Sequence, residues 1–409
     1  MFKQLFLVGL VLLSSTGKAS DLHLNLEENA FKVLEQKPNA LTLNAVRDLA
    51  VNEEIDIQIS YERLIQAQRK IGQARAAYFP YGLGTVGAMY LFNVWNPLFL
   101  VELVTSLPSK VFQVQAEKNM SLAQKYSLAA LKENIKHQVS LLYFNILQEE
   151  TALKLTKLEM TLTETLIETY RERVELGLAT EEELHNIERS FLRTRDSYLR
   201  FSSYLSEAKS AFNTMLGKDP SQGNQIELQP VANFLSSDQF TLELSAKVEM
   251  AKSRSNEIVA ADYMINAARK AKRSTKWSVL SFGGIGFGYY ARVQVAGSKV
   301  QSTILNRQYV EENLVNHVYI ADNAFNRSLD LFKNERNIFL DTEFYSDSQL
   351  ERFKAGLIPL DQLLETQLVY LKDFNQMILA HYQAHRKLTD LERVIMGDAR
   401  ETVLEHNGL

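Results

Sequence analysis

Apolar positions recur at intervals of three and four along most of this chain, and the residues that interrupt them are few and regularly placed. From Ser109 to Leu176 there is no glycine or proline. Leu128, Leu131, Ile135, Val139, Leu142 and Ile146, then Leu158, Leu162, Leu166, Tyr170 and Val174, mark a narrow apolar seam. One helix over that stretch would extend about 100 Å at 1.5 Å per residue. That length predicts coiled-coil packing rather than an ordinary globular helix. The pattern breaks at Gly177, restarts through Leu178, Ala179 and Thr180, and runs unbroken to Gly217. This return helix is shorter than its partner, so a second helix, predicted over Leu41–Ala77, must complete the antiparallel pairing.

The same text appears twice. Tyr170–Gly217 recurs as Leu350–Gly397, with Gly177, Leu178 and Leu184 lying over Gly356, Leu357 and Leu363 without a gap. Phe240-Thr241-Leu242-Glu243 likewise echoes Leu41-Thr42-Leu43-Asn44. An internal repeat of helical hairpins follows. Repeat 1 covers 41–217, a linker with Pro220, Gly223 and Pro230 covers 218–239, and repeat 2 covers 240–397. A lead-in at 20–40 and a polar tail at 398–409 flank them. Each repeat reads as helix, strand pair, long helix, return helix, which makes the fold mainly α with a small β part.

The predicted strand pairs lie at about 81–108 and 278–296. In the first, Gly82, Gly84 and Gly87 alternate with apolar and aromatic residues through Phe92, and Leu98–Ser106 supplies the second strand. A hairpin buried in a soluble domain would read the same way. The second insert contains the glycine-rich run Gly283–Gly288. No Lys-Ser/Thr follows it, so close strand approach explains it better than a phosphate loop.

Composition narrows the chemistry. With a net charge of −4 the chain has no footprint of a nucleic-acid binder. The absence of cysteine removes disulfides, thiol catalysis and thiolate metal sites together. Lys3, the apolar run Leu5–Leu13 and Gly17-Lys18-Ala19 read as a secretory signal over 1–19, too short to span a bilayer. His381 and His385 have the spacing of a helical metal pair but lack a Glu-x-x-His context, so packing is the expected role. No constellation for catalysis, no cofactor motif and no metal site is expected. Glu181, Glu182 and Glu183 after Thr180 suit a helix N-terminus and need no catalytic role.

Arg173-Val174-Glu175-Leu176-Gly177-Leu178-Ala179-Thr180 and Arg352-Phe353-Lys354-Ala355-Gly356-Leu357-Ile358-Pro359 resemble the Arg-x-x-x-Gly-Leu-x-Thr/Ser turn of the TolC family of outer-membrane efflux ducts. Leu41-Thr42-Leu43, Gln73–Ala77 before Pro80, and Met215-Leu216-Gly217 match the family as well. The resemblance implies a homotrimer with an α-helical tunnel through the periplasm and a twelve-stranded outer-membrane β-barrel, here shortened. It places Arg173, Gly177, Leu178, Thr180, Arg352, Gly356, Leu357 and Pro359 at a periplasmic tip that meets an adaptor of an inner-membrane pump. It also implies a pore constriction just after the second turn. There Gln362 stands where a carboxylate is usual, Glu365 retains the other, and Asp361 sits one place early. Three Glu365 carboxylates around a threefold axis would repel one another or recruit a cation.

The expected function is thus a passive exit duct of a tripartite efflux or type I secretion system, in the outer membrane and periplasm of a Gram-negative bacterium. The alternative is a periplasmic coiled-coil scaffold of the same fold without a membrane-spanning barrel. The strands are short for a membrane barrel, whose strands need about 9–11 residues.

Overall fold

A computed structural model describes residues 40–78, 97–221, 226–231, 234–236, 240, 242–280 and 288–397, with side chains in the long helix from 105 onward. Eight α-helices are present among them. These are α1 (Leu43–Glu53), α2 (Ile55–Ala76), α3 (Pro97–Glu175), α4 (Glu181–Met215), α5 (Leu244–Arg254), α6 (Asn256–Trp277), α7 (Tyr289–Lys354) and α8 (Leu360–Ile395). The repeat is explicit in their lengths: 11 then 22 residues for α1 and α2, and the same for α5 and α6. α4 and α8 have 35 and 36. The predicted signal segment 1–19 and the tail 398–409 lie outside the described residues.

Two expectations need correction. Leu41–Ala77 is not one helix: Glu54 is extended (φ −65°, ψ 125°) and separates α1 from α2. Ser255 (φ −65°, ψ 114°) does the same between α5 and α6. No glycine or proline announces either break. Ser255 is fully buried, and its hydroxyl accepts the Ile258 N–H at 3.3 Å, which caps α6 from inside the protein.

The strands are the larger correction. Leu98–Ser106 is helical, part of the 79-residue α3, which begins at Pro97 and carries Pro108 within it. Pro97 suits a first helical position, where the missing N–H costs nothing. An uninterrupted apolar run of this length satisfies either period, and its continuation into the long helix decides for α. In the second insert, Ser278–Leu280 is a 3-10 turn and α7 starts at Tyr289. Residues 281–288 lie between them. Residues 79–96 and 281–287, where the other predicted strands fall, are outside the described residues. Among the described residues the sole β contact is the parallel bridge Leu41↔Leu228.

The chain divides into two compact units. Unit 1 comprises Met1–Ala50, His137–Thr241 and Asp322–Leu391. Its helices pair antiparallel. α3 and α4 are tied by Arg171–Glu188 (3.0 Å), Thr194–Glu159 (3.2 Å) and Lys209–Glu150 (2.7 Å). α7 and α8 are tied by Thr342–Asp373 (2.7 Å) and the packed rings of Phe339, Tyr370 and Phe374. α3 also runs against α8, through His137–Asp390 (2.9 Å) and Arg386–Asn145, and meets α1 through Arg47–Ser140 (2.7 Å). Having several neighbours explains why the buried stripe of α3 is wider than the predicted seam. Tyr143, Phe144, Leu147, Leu155 and Thr163 are buried beside Ile146, Leu162 and Leu166.

The linker joins this core. Leu41 N–H donates to Glu227 O (2.9 Å), and Gln229 N–H to Leu41 O (3.1 Å). The buried Tyr143 hydroxyl donates to Gln229 O at 2.5 Å. His381 Nε2 lies 2.9 Å from Val231 O, among the rings of Phe234, Phe332 and His385. Its role is packing, and no group of three or more candidate metal ligands occurs among the described residues.

Unit 2 comprises Val51–Lys136, Leu242–Ala321 and Glu392–Leu409. Tyr126 of α3 stacks on Tyr263 of α6 with ring centroids 5.5 Å apart. Arg393 donates to Glu257 (2.6 Å) and to Asn134 (2.8 Å). Burial opposes the charge on Glu257, but the Arg393 guanidinium overrides it and holds the carboxyl below the usual range.

Candidate functional site

The site expected from the sequence lies in unit 1, where α3 turns into α4 and α7 into α8. Both turns are the same device. Gly177 (φ +69°) and Gly356 (φ +73°) occupy the left-handed region that favours glycine. Leu178 N–H donates to Arg173 O (2.8 Å) and Gly177 N–H to Val174 O (3.0 Å). In the second copy Leu357 N–H donates to Arg352 O (2.8 Å) and Gly356 N–H to Phe353 O (2.8 Å). This is the Schellman pattern, which satisfies helix-end carbonyls through backbone bonds alone. The arginine four residues before each glycine therefore supplies a carbonyl to the turn. That identifies Arg173, not Arg171, as the counterpart of Arg352.

A helix cap of this kind often buries its next apolar side chain. Here it does not: Leu178 is 67% and Leu357 69% exposed, with Leu176 at 72%. Both glycines have open space where a Cβ would stand. Each turn thus presents a leucine that the chain does not use for its own packing.

The turns differ in how the next helix starts. Thr180 caps α4 in a reciprocal box: its hydroxyl accepts Glu183 N–H (3.2 Å), and Glu183 Oε2 accepts Thr180 N–H (2.8 Å). Those Thr180 hydrogen bonds hold the Glu183 carboxyl below its ordinary range. Pro359 precedes α8 instead, and Ile358 beside it is buried with Leu350, Phe353 and Leu363. The second turn therefore has its own small apolar core.

Of the residues expected to constrict a pore, two are already paired. Asp361 forms a salt bridge with Arg173, joining the first turn of α8 to the last turn of α3. Glu365 accepts a hydrogen bond from Tyr170 Oη at 3.3 Å, and the Arg173 guanidinium lies 5.5 Å from the Tyr170 ring centroid. Gln362 is exposed, and its carbonyl accepts from Thr366 Oγ1 at 2.9 Å. Burial, with the Glu365 and Asp361 carboxylates, raises the Tyr170 phenol, so it remains a donor. The sequence places Tyr170 in the apolar seam and not among the candidate site residues. Its position one helical turn before Arg173 was the available signal.

Arg173, Tyr170, Asp361 and Glu365 thus form a clasp between the two hairpins. Arg352 is exposed and makes no salt bridge among the described residues. A double-mutant cycle with Arg173→Ala and Asp361→Ala, followed by thermal unfolding, should give a coupling of about 1 kcal/mol, as for a partly buried charge-assisted bond. A coupling near zero would remove the clasp from the account.

Compared over its whole length with solved structures, the chain resembles outer-membrane channels. It superposes on the CmeC outer membrane channel of Campylobacter jejuni with a TM-score of 0.69, at 13% identity, over 89% of this chain and 88% of that one. For the outer membrane protein VceC of Vibrio cholerae the values are 0.67, 12%, 87% and 96%. For the MtrE outer membrane channel of Neisseria gonorrhoeae, in its open state, they are 0.60, 14%, 88% and 91%. The chain has the outer-membrane channel fold. No protein-family model matches the sequence, and no curated protein matches it. The outer-membrane channel fold thus rests on backbone course and helix order rather than on shared residues. It is the long-helix fold that the duplicated Gly-Leu turns implied.

Proposed function

We propose that this chain is the subunit of a passive exit duct in an outer-membrane efflux or secretion system. Three copies enclose a helical tunnel, and the tip joins a periplasmic adaptor fed by an inner-membrane pump. The observation that carries this reading is the match of fold over nearly the full length of chain and channel alike. Two features of the tip support it. Exposed leucines at equivalent turns suit docking of partner helices, where apolar anchors give most of the affinity. The Arg173–Asp361 and Tyr170–Glu365 contacts suit a closure that must break when the hairpins separate. The duct does no chemistry of its own, and the pump supplies the energy.

No helix among the described residues is long and apolar enough to cross a membrane, which leaves a β-barrel untouched. Membrane fractionation with and without heating before electrophoresis tests the proposal. The expected result is an outer-membrane protein that migrates as a trimer unheated and, when boiled, as a single chain somewhat below the 46.7 kDa of the full sequence. A soluble monomer would instead favour the periplasmic scaffold.

A further inference from the structure

From the middle of α6 into α7 the chain is basic without interruption. Between Asp262 and Glu311 the sequence has eight basic residues and no acidic one. On α6, Arg269, Arg273 and Lys276 are exposed at spacings of four and three, which places them along one helix face. The tertiary structure brings two more helices to the same place. Ser109 Oγ of α3 donates to Ser274 O of α6 at 2.9 Å. Phe112 of α3 lies under Lys270 and Arg273, 5.8 and 6.0 Å from its ring centroid. Tyr289 Oη of α7 donates to Lys276 O at 3.0 Å, and Lys272 Nζ lies 3.3 Å from where a Gly297 Cβ would stand. None of Arg269, Lys270, Lys272, Arg273 and Lys276 makes a salt bridge among the described residues. Past the basic band, Trp277, Leu280 and Tyr290 are exposed, Tyr290 by 80%.

The first repeat has the same arrangement in sequence. Between Glu62 and Glu102 there are four basic residues and no acidic one, and Arg75 holds in α2 the last-turn place that Lys276 holds in α6.

Unpaired cations backed by an aromatic and apolar rim form a surface for a plane of phosphates bordering hydrocarbon. A nucleic acid offers phosphates without the hydrocarbon and leaves Trp277, Leu280 and Tyr290 unexplained. We propose that this three-helix end docks on anionic phospholipid headgroups of the outer membrane's periplasmic leaflet. The inference rests on the duct reading and adds a physical role. Headgroup contact holds these ends of α3, α6 and α7 against the membrane surface.

The test is flotation of the purified full-length protein with phosphatidylcholine vesicles, with and without phosphatidylglycerol. It is repeated for the triple variant Arg269→Gln, Arg273→Gln, Lys276→Gln, all at exposed positions. Each basic side chain near an anionic surface is worth about a five-fold change in partitioning, so the variant should bind phosphatidylglycerol vesicles roughly a hundred-fold more weakly. The wild type should lose binding as salt rises. Equal binding to both vesicle types, equal binding by the variant, or displacement by millimolar inorganic phosphate would overturn the proposal. So would equally tight binding of duplex DNA. A protein missing from cell membranes refutes the duct, whereas a membrane protein indifferent to phosphatidylglycerol refutes only the headgroup surface.

Discussion

Export should fall to background when Leu178 and Leu357 are both replaced by aspartate, while heat-resistant trimers persist at normal abundance. The turns that hold these side chains are built from backbone hydrogen bonds and two left-handed glycines, none of which the substitution touches. Neither leucine packs in the core, so folding loses little. A docked partner is the one thing that loses apolar area. Burying one leucine side chain is worth about 1.5–3 kcal/mol, and a trimer presents six. Replacing exposed surface by a charge adds the cost of desolvating that charge against an apolar partner. Single alanine variants should be intermediate. Undiminished transport of a fluorescent cargo by the double variant would show that the tip is not where the partner binds.

Acid should weaken unit 1 through His381. His381 is buried, its Nε2–H donates to Val231 O, and its Nδ1 has no partner among the described residues. A second proton on Nδ1 would have no acceptor among the described residues, and burial accordingly lowers the His381 pKa to about 4 from an ordinary 6.5. Above 6.5 the imidazole is neutral in both folded and unfolded chains, and the full stability is present. Between 6.5 and 4 the unfolded chain takes up a proton that the folded one refuses, so stability drops as pH falls. Below 4 both are protonated and the loss is complete. A gap of this size is worth about 3 kcal/mol. Urea unfolding followed between pH 7.5 and 4 should show that slope in the wild type and a flatter one in His381→Asn. A variant with an unchanged slope would transfer the effect to other groups.

The correct and incorrect readings of the chain share one cause. Long stretches without glycine or proline can only be helix when their apolar positions keep a 3.6-residue period, so α3, α4, α7 and α8 were legible from spacing alone. The duplicated glycine was legible too, because a left-handed turn between two helices admits little else. Leu98–Ser106 and the 278–296 insert read as strands in sequence because such short apolar runs satisfy both periods. Their joining to the long helices decided the matter. The breaks at Glu54 and Ser255 carry no glycine or proline, and the Ser255 cap on α6 became visible only in the structure.

By itself the sequence determined the bodies of the long helices, their duplication and the two turns, since these depend on contacts within a few residues. Which charges meet was decided by the tertiary structure alone. Arg173 finds Asp361 at 188 residues' separation, Tyr170 finds Glu365 at 195, and His381 finds Val231 at 150. A helix exposes many possible partners at each turn. Only the antiparallel packing of α8 on α3, and of the linker on α8, selects among them.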